Sequence, residues 1–178
     1  MSYFDPGTKD IFGEVVMTFS KSFGYAVRGL LYIAIMQNEK RYVQVEEIAA
    51  QLAIPRHFMG KILKNLAKKK MVLSVKGPAG GFTINDHTLS LPLLSLINIT
   101  DGLALFDTCV LRLKECNPLN PCPMHNQMEA VNEKLKTILS TTTIGDLIKE
   151  DKKDFIRSIS THEGVDSILR SRIKEKIY

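Results

Sequence analysis

The stretch PRHFMGKILKNLAKKKMVLSVKGPAGGFTIN, from Pro55 to Asn85, decides the fold. Its first half reads as a helix from Pro55 to about Lys70, since proline is favoured in a first helical turn, where its missing amide costs nothing. Phe58, Ile62 and Leu66, with Met59 and Leu63 beside them, recur at helical spacing and predict an inward stripe. His57, Lys61, Lys64 and Lys68 fall at i, i+4, i+7 and i+11 and predict a second, charged face. The second half, Met71–Asn85, reads as a hairpin. Val72, Leu73 and Val75 lie on one strand and Phe82, Thr83 and Ile84 on the other. Gly77-Pro78-Ala79-Gly80-Gly81 is the turn, where glycine permits positive φ and close approach to a partner.

The flanking sequence completes the pattern. From Ser20 to Gln37, Phe23, Val27, Leu30, Leu31 and Ala34 predict a helix, with Ser20 or Ser22 as its cap. Val45–Leu52 predicts a short second helix with Ile48, Ala49 and Leu52 inward. Three helices and then a hairpin make a winged helix-turn-helix, a mainly α fold with a small β wing. In such a fold the third helix enters the major groove and the wing reaches towards the minor groove or backbone.

The charge distribution agrees. The net charge of +5 says little alone, but seven Lys or Arg and no acidic residue lie between Pro55 and Lys76. A solvated face on an ordinary surface helix is the plain alternative. The short helix before it, the Lys68-Lys69-Lys70 run and the hairpin after it weigh against that reading. A nucleotide phosphate loop is also disfavoured, because the Walker pattern is missing and no helix starts directly after the glycines. Candidate DNA contacts are Arg56, His57, Lys61, Lys64 and Lys68 on the helix and Lys76, Gly77 and Pro78 at the wing tip. Lys61 suits guanine edges, Lys64 and Lys68 suit phosphates, and Gly60 leaves a gap on this helix where a side chain could otherwise discriminate bases.

Beyond the hairpin, Leu89–Gly102 predicts one further helix. A long helix then runs from Pro123 to about Ser140. Along it Met124, Met128, Val131, Leu135 and Ile138 repeat every four and three residues, the mark of a helix lying along a partner helix. Packing on its own domain is the alternative. A groove-reading dimer favours a self-pairing seam. Thr143-Ile144-Gly145-Asp146 predicts a capping box with Asp in place of Glu. The divisions are residues 1–17, an extension; 18–88, the winged helix-turn-helix; 89–121, a connecting helix and cysteine loop; 122–150, the dimerisation helix region; and 151–178, a tail.

The only three cysteines of the 178-residue chain fall, with one histidine, as Cys109-x6-Cys116-x5-Cys122-x2-His125. Thiolates and imidazole are soft ligands, suited to iron–sulfur clusters or zinc. Pro123 at the first position of the long helix would make Cys122 its N-cap, where the helix dipole favours a thiolate. Asn117-Pro118 and Asn120-Pro121 stiffen the loop. A structural zinc on three Cys and one His, a thiol redox switch, and coincidentally buried cysteines are the alternatives.

Composition sets outer bounds. Apolar residues make up 44% of the chain and there is no Trp, so Leu, Ile, Val and Met do most of the packing. Apolar runs such as Leu89–Ile99 are too short to span a bilayer. Residues 1–16 carry three acids and no secretory pattern, so a cytoplasmic location is expected. An enzyme is disfavoured. There is no nucleophile–base pairing beyond the cysteines, no pocketed carboxylate pair and no cofactor motif. The other functional class left open is an interaction module with a zinc-stapled loop.

Four segments together resemble the IscR/NsrR-like (Rrf-type) transcriptional regulators: FSKSFGYAVRGLLYIA at Phe19–Ala34, EIAAQLAIPRHFMGKILKNL at Glu47–Leu66, SVKGPAGGF at Ser74–Phe82 and CPMH at Cys122–His125. The resemblance covers about residues 18–150. It implies a dimeric bacterial repressor or activator that binds operator DNA. In cluster-bearing members, three cysteines hold an iron–sulfur cluster whose state changes DNA affinity. By position Cys109, Cys116 and Cys122 would be those ligands, and His125 matches the histidine that completes a [2Fe-2S] site in IscR-like members. NsrR-like members recruit an acidic residue from the partner's first helix, and the matching position here is Gly24, which cannot ligate. The first spacing is x6 where IscR has x5, which leaves [4Fe-4S] or zinc open. Lys76 stands where IscR carries Arg, and Lys lacks the planar fork.

Overall fold

The structure, a computed structural model, describes residues 19–37 and 41–149. The expected extension at 1–17 and the tail at 151–178 lie outside those residues, as do residues 18, 38–40 and 150. Helix α1, Lys21–Met36, starts where Ser20 Oγ accepts a hydrogen bond from the Phe23 amide at 3.2 Å. Leu30, Leu31 and Ala34 are buried along it, together with Ala26 and Ile33. α1 is the common wall of the molecule. It packs against α3 (Arg56–Lys68) on one side and against α5 (Leu93–Thr100) and α7 (Ile144–Lys149) on another.

Between α1 and α3 lies α2, Val45–Gln51, with Ile48 and Ala49 inward and Leu52 capping it. The turn into α3 puts Ala53 at φ +50, and Arg28 Nη2 donates to the Leu52 carbonyl at 2.8 Å to hold that turn. Met59, Leu63 and Leu66 of α3 are fully buried against this corner. Truncating one of them to Ala would leave a cavity costing about 2–5 kcal/mol.

The hairpin pairs β1, Leu73–Val75, with β2, Gly81–Thr83, with Ser74 opposite Phe82. Val43 adds a third edge that the sequence reading lacked. It exchanges two backbone hydrogen bonds with Phe82, of 2.9 and 2.8 Å. Gly81 makes this possible. It sits at φ +151, and a Cβ there would stand 2.6 Å from the Val43 carbonyl oxygen.

The helix expected over Leu89–Gly102 is two helices, α4 at Asp86–Ser90 and α5 at Leu93–Thr100. Pro92 cannot donate to a helical ladder and biases Leu91 to extended backbone, here ψ 134. The freed groups pair with the chain returning after α6 (His125–Thr141). Thr142 accepts from the Leu93 amide at 2.9 Å, and Leu91 accepts from Ile144 at 3.2 Å. A 3₁₀ turn, Leu103–Asp107, leads into the cysteine loop. Ahead of α7, Thr143 and Asp146 form the expected reciprocal box. Asp146 Oδ2 accepts from the Thr143 amide at 3.0 Å, and Thr143 Oγ1 accepts from the Asp146 amide at 3.1 Å.

Candidate nucleic-acid interface and metal centre

The outer face of α3 carries His57, Lys61, Lys64 and Lys68, all exposed, and α3 itself contains no acidic residue. Arg56 is different. Its Nε donates to Glu46 Oε1 on α2 at 2.6 Å, and the two side chains also form an ion pair. The Glu46 carboxyl is held below its ordinary range, first by its own backbone amide and then by the Arg56 guanidinium. Both side chains are open to solvent, so the pair is weak.

Phe58 corrects the sequence reading. It is 49% exposed rather than part of the inward stripe. The buried arc of α3 is Met59, Ile62, Leu63 and Leu66. Phe58 falls about 100° round the helix from Met59, at the margin of that arc.

The wing tip presents Lys76, Gly77 and Pro78 to solvent, with Gly77 at φ +112 and its carbonyl accepting from the Gly80 amide at 2.9 Å. Sequence reasoning missed what holds it. Gln44, just before α2, donates from Nε2 to the Pro78 carbonyl at 2.8 Å. The available signal was a long amide side chain at a helix N-cap position that does not cap: Gln44 makes no side-chain bond to α2.

The three cysteines converge. Their sulfur atoms all lie within 4.8 Å of one another, and each residue is half-buried. Cys109 and Cys122 have Sγ atoms 3.8 Å apart. His125 joins through Cys116, whose Sγ lies 3.2 Å from its Nδ1, while its Nε2 is buried without a hydrogen-bond partner. The mutually close set is thus three thiols, with His125 beside it.

Local turns build this arrangement. Asn117 Oδ1 accepts from the amides of Leu119 at 2.9 Å and Asn120 at 3.0 Å, and Asn120 Nδ2 donates to the Glu115 carbonyl at 3.1 Å. That folds Asn117–Asn120 back and returns Cys122 towards Cys116. At the loop's root, Asn132 Nδ2 donates to the Phe106 carbonyl at 2.6 Å, and the Lys136 ammonium lies 5.7 Å from the Phe106 ring centre. The loop and α6 enclose a cleft of about 360 Å³ that the three cysteines and His125 help to line.

The expected N-cap role of Cys122 is not realised. α6 begins at His125, with Met124 in the cap position, because Pro123 and Met124 form a turn closed by the His125 amide on the Cys122 carbonyl at 3.0 Å. The polarised thiol is Cys109 instead. It is shifted down chiefly by the Leu113 backbone amide. The Cys116 thiol is shifted up: the Cys122 amide pulls it down, but desolvation and the hydrogen bonds and charge of its cysteine neighbours outweigh that. Three close thiols and a buried imidazole nitrogen without a protein partner are a donor set that fits a soft metal or an iron–sulfur group.

The expected seam on α6 divides into two. Met124, Val131 and Ile138 are exposed, Met128 and Leu135 are half-buried, and Leu139, outside the sequence reading, is buried as α6 packs on α5. No helix among the described residues is long and apolar enough to cross a membrane.

A chain named as an HTH-type transcriptional regulator in Aquifex aeolicus (strain VF5) is 34% identical over 139 residues, 77% of this chain and 95% of that one. Among solved structures, the global cysteine regulator CymR (YrzC) of B. subtilis matches with a TM-score of 0.61 at 18% identity, over 75% of this chain and 97% of that one. IscR of T. potens matches with a TM-score of 0.60 at 19% identity, over 80% of this chain and 93% of that one. Residues 19–150 match the family described as Rrf2, iron-dependent transcriptional regulator, so this chain belongs to the Rrf2 family, a family of transcriptional regulators rather than enzymes.

Proposed function

We propose that this protein is a homodimeric, cytoplasmic bacterial regulator whose affinity for operator DNA is controlled by an iron–sulfur cluster, most simply [2Fe-2S]. Cys109, Cys116 and Cys122 would be its thiolate ligands and His125 its fourth. The convergence of three sulfur atoms within 4.8 Å, from positions thirteen residues apart in sequence, carries this reading. A [2Fe-2S] group needs four protein ligands, and one imidazole among them gives a less anionic site of higher potential than four thiolates would.

The chain's own residues supply the rest. Residues 18–88 would form the DNA-reading unit, 89–121 the loop support and 122–150 the pairing region. Lys61 reads base edges, Lys64 and Lys68 hold phosphates, His57 and Arg56 flank them, and Lys76, Gly77 and Pro78 approach the minor groove. His125 is the first residue of α6, so ordering the cysteine loop also fixes the start of the helix that exposes Met124, Val131 and Ile138. Those three lie seven residues apart, the repeat of a self-pairing seam. Pairing sets the spacing of two α3 helices, which must match half-sites about one helical turn apart.

One observation favours a second reading. The 3.8 Å separation of Cys109 and Cys122 Sγ suits a disulfide after modest closure, so a cluster-free chain could switch when an oxidant such as a peroxide takes two electrons and two protons from this pair of thiols. Anaerobic purification, an absorption spectrum and iron, acid-labile sulfide and zinc analysis separate these readings. Visible bands with two irons and two sulfides per chain support the [2Fe-2S] sensor. Four irons demote His125. One zinc makes the site a structural staple, and a colourless, metal-free chain leaves the thiol switch.

A further inference from the structure

The exposed ring of Phe58 is unexplained by the DNA-binding reading as it stands. Isolated apolar side chains on a surface are ordinary, so exposure alone argues nothing. Its position argues more. Phe58 lies in the first turn of α3, three residues before Lys61 and one after His57. Its ring packs on the His57 ring, with centroids 4.5 Å apart and planes at 41°. The helix around it is basic, with Lys61, Lys64 and Lys68 exposed and no acid of its own. Charge complementarity therefore makes a polyanion the occupant of this face.

In a major groove, base edges offer hydrogen-bond donors and acceptors and a single apolar group, the C5 methyl of thymine. A phenyl ring can make no hydrogen bond there. It gains only by covering that methyl and loses by covering a polar edge, so it discriminates in a way that lysines cannot.

We propose that Phe58 is a specificity-determining residue, packing its ring on a thymine C5 methyl within each half-site. This rests on the reading of the chain as a DNA-binding regulator. It adds a preference that the charged residues of α3 do not supply.

The test selects duplexes from a random library with the full-length protein, in whichever cluster state binds. Each thymine of the strongest site is then replaced by deoxyuridine, which removes only the methyl. Binding is measured for the wild type, Phe58→Ala and Phe58→Leu. Burial of one methyl predicts about a fourfold loss for the wild type at one thymine per half-site. The same duplex should show no loss with Phe58→Ala and an intermediate loss with Phe58→Leu, which keeps an apolar surface. Equal losses for wild type and Phe58→Ala at every thymine overturn the proposal, as does a site in which no deoxyuridine weakens the wild type. Failure of the wild type to select any duplex overturns the DNA-binding reading itself, a distinct result.

Discussion

The Nε2 of Gln44 lies 2.8 Å from the carbonyl oxygen of Pro78, which ties the tip of the wing to the entrance of α2, thirty-four residues away in sequence. The root of the wing is already fixed by the two Val43–Phe82 backbone bonds. Only the tip depends on this side chain. Gln44→Ala should leave the major-groove preference intact and reduce affinity about three- to tenfold, the worth of one hydrogen bond. Hydroxyl-radical footprints should lose protection in the flanking minor groove alone. A footprint that weakens evenly across the site would assign Gln44 to general folding instead.

Lys61 and Lys64 sit side by side on α3 and should fail differently. Lys61→Ala should cost about 1–3 kcal/mol on the selected site and relax its sequence preference. Lys64→Ala should weaken specific and random DNA alike and lower the salt slope by about 1. Titrations on both DNAs at several salt concentrations separate the two, and equal losses on both DNAs for Lys61→Ala would remove its base-reading role.

Val131 and Ile138 are each 49% exposed on α6 with only solvent outside them in the single chain. Burying such a side chain is worth about 1.5–3 kcal/mol, and a two-fold interface counts each residue twice. The double change Val131→Glu and Ile138→Glu should therefore yield monomers in sedimentation while preserving the melting temperature to within a few degrees. Persistence of the dimer would place the interface on another face.

Cys109 and Cys116 are shifted in opposite directions. In reduced, metal-free protein, Cys109 should reach its thiolate form at lower pH than an ordinary cysteine and be alkylated first. Cys116 should remain protonated to higher pH and react last. Mass spectrometry of iodoacetamide-treated protein across a pH series reads this order directly, and simultaneous labelling at every pH would contradict it.

Much of this was legible along the chain. The periodicity of Leu30, Leu31 and Ala34, the Ser20 cap, the inward set Ile62, Leu63 and Leu66 and the Thr143–Asp146 box are short-range features, and each appears where the sequence puts it. The Leu89–Gly102 helix was misread because apolar residues recur at helical spacing across Pro92. The missing amide of Pro92 ends α4 and decides where the returning chain can pair. The start of α6 was misplaced by two residues for a related reason. A proline at a permitted first-turn position does not require the helix to begin there.

The sequence by itself determined the helix-helix-helix-hairpin order, the basic face and the identity of the soft donor atoms. These follow from periods of two and 3.6, from proline and glycine geometry, and from side-chain chemistry, all of which act within a few residues. Tertiary structure decided the partners: Gln44 with Pro78, Arg56 with Glu46, Cys116 with His125, and Phe58 with solvent. Such pairings depend on how separate elements cross in space. A helical period says that Phe58 lies near an apolar stripe, but only the packing of α1 and α2 against α3 fixes where the buried arc ends.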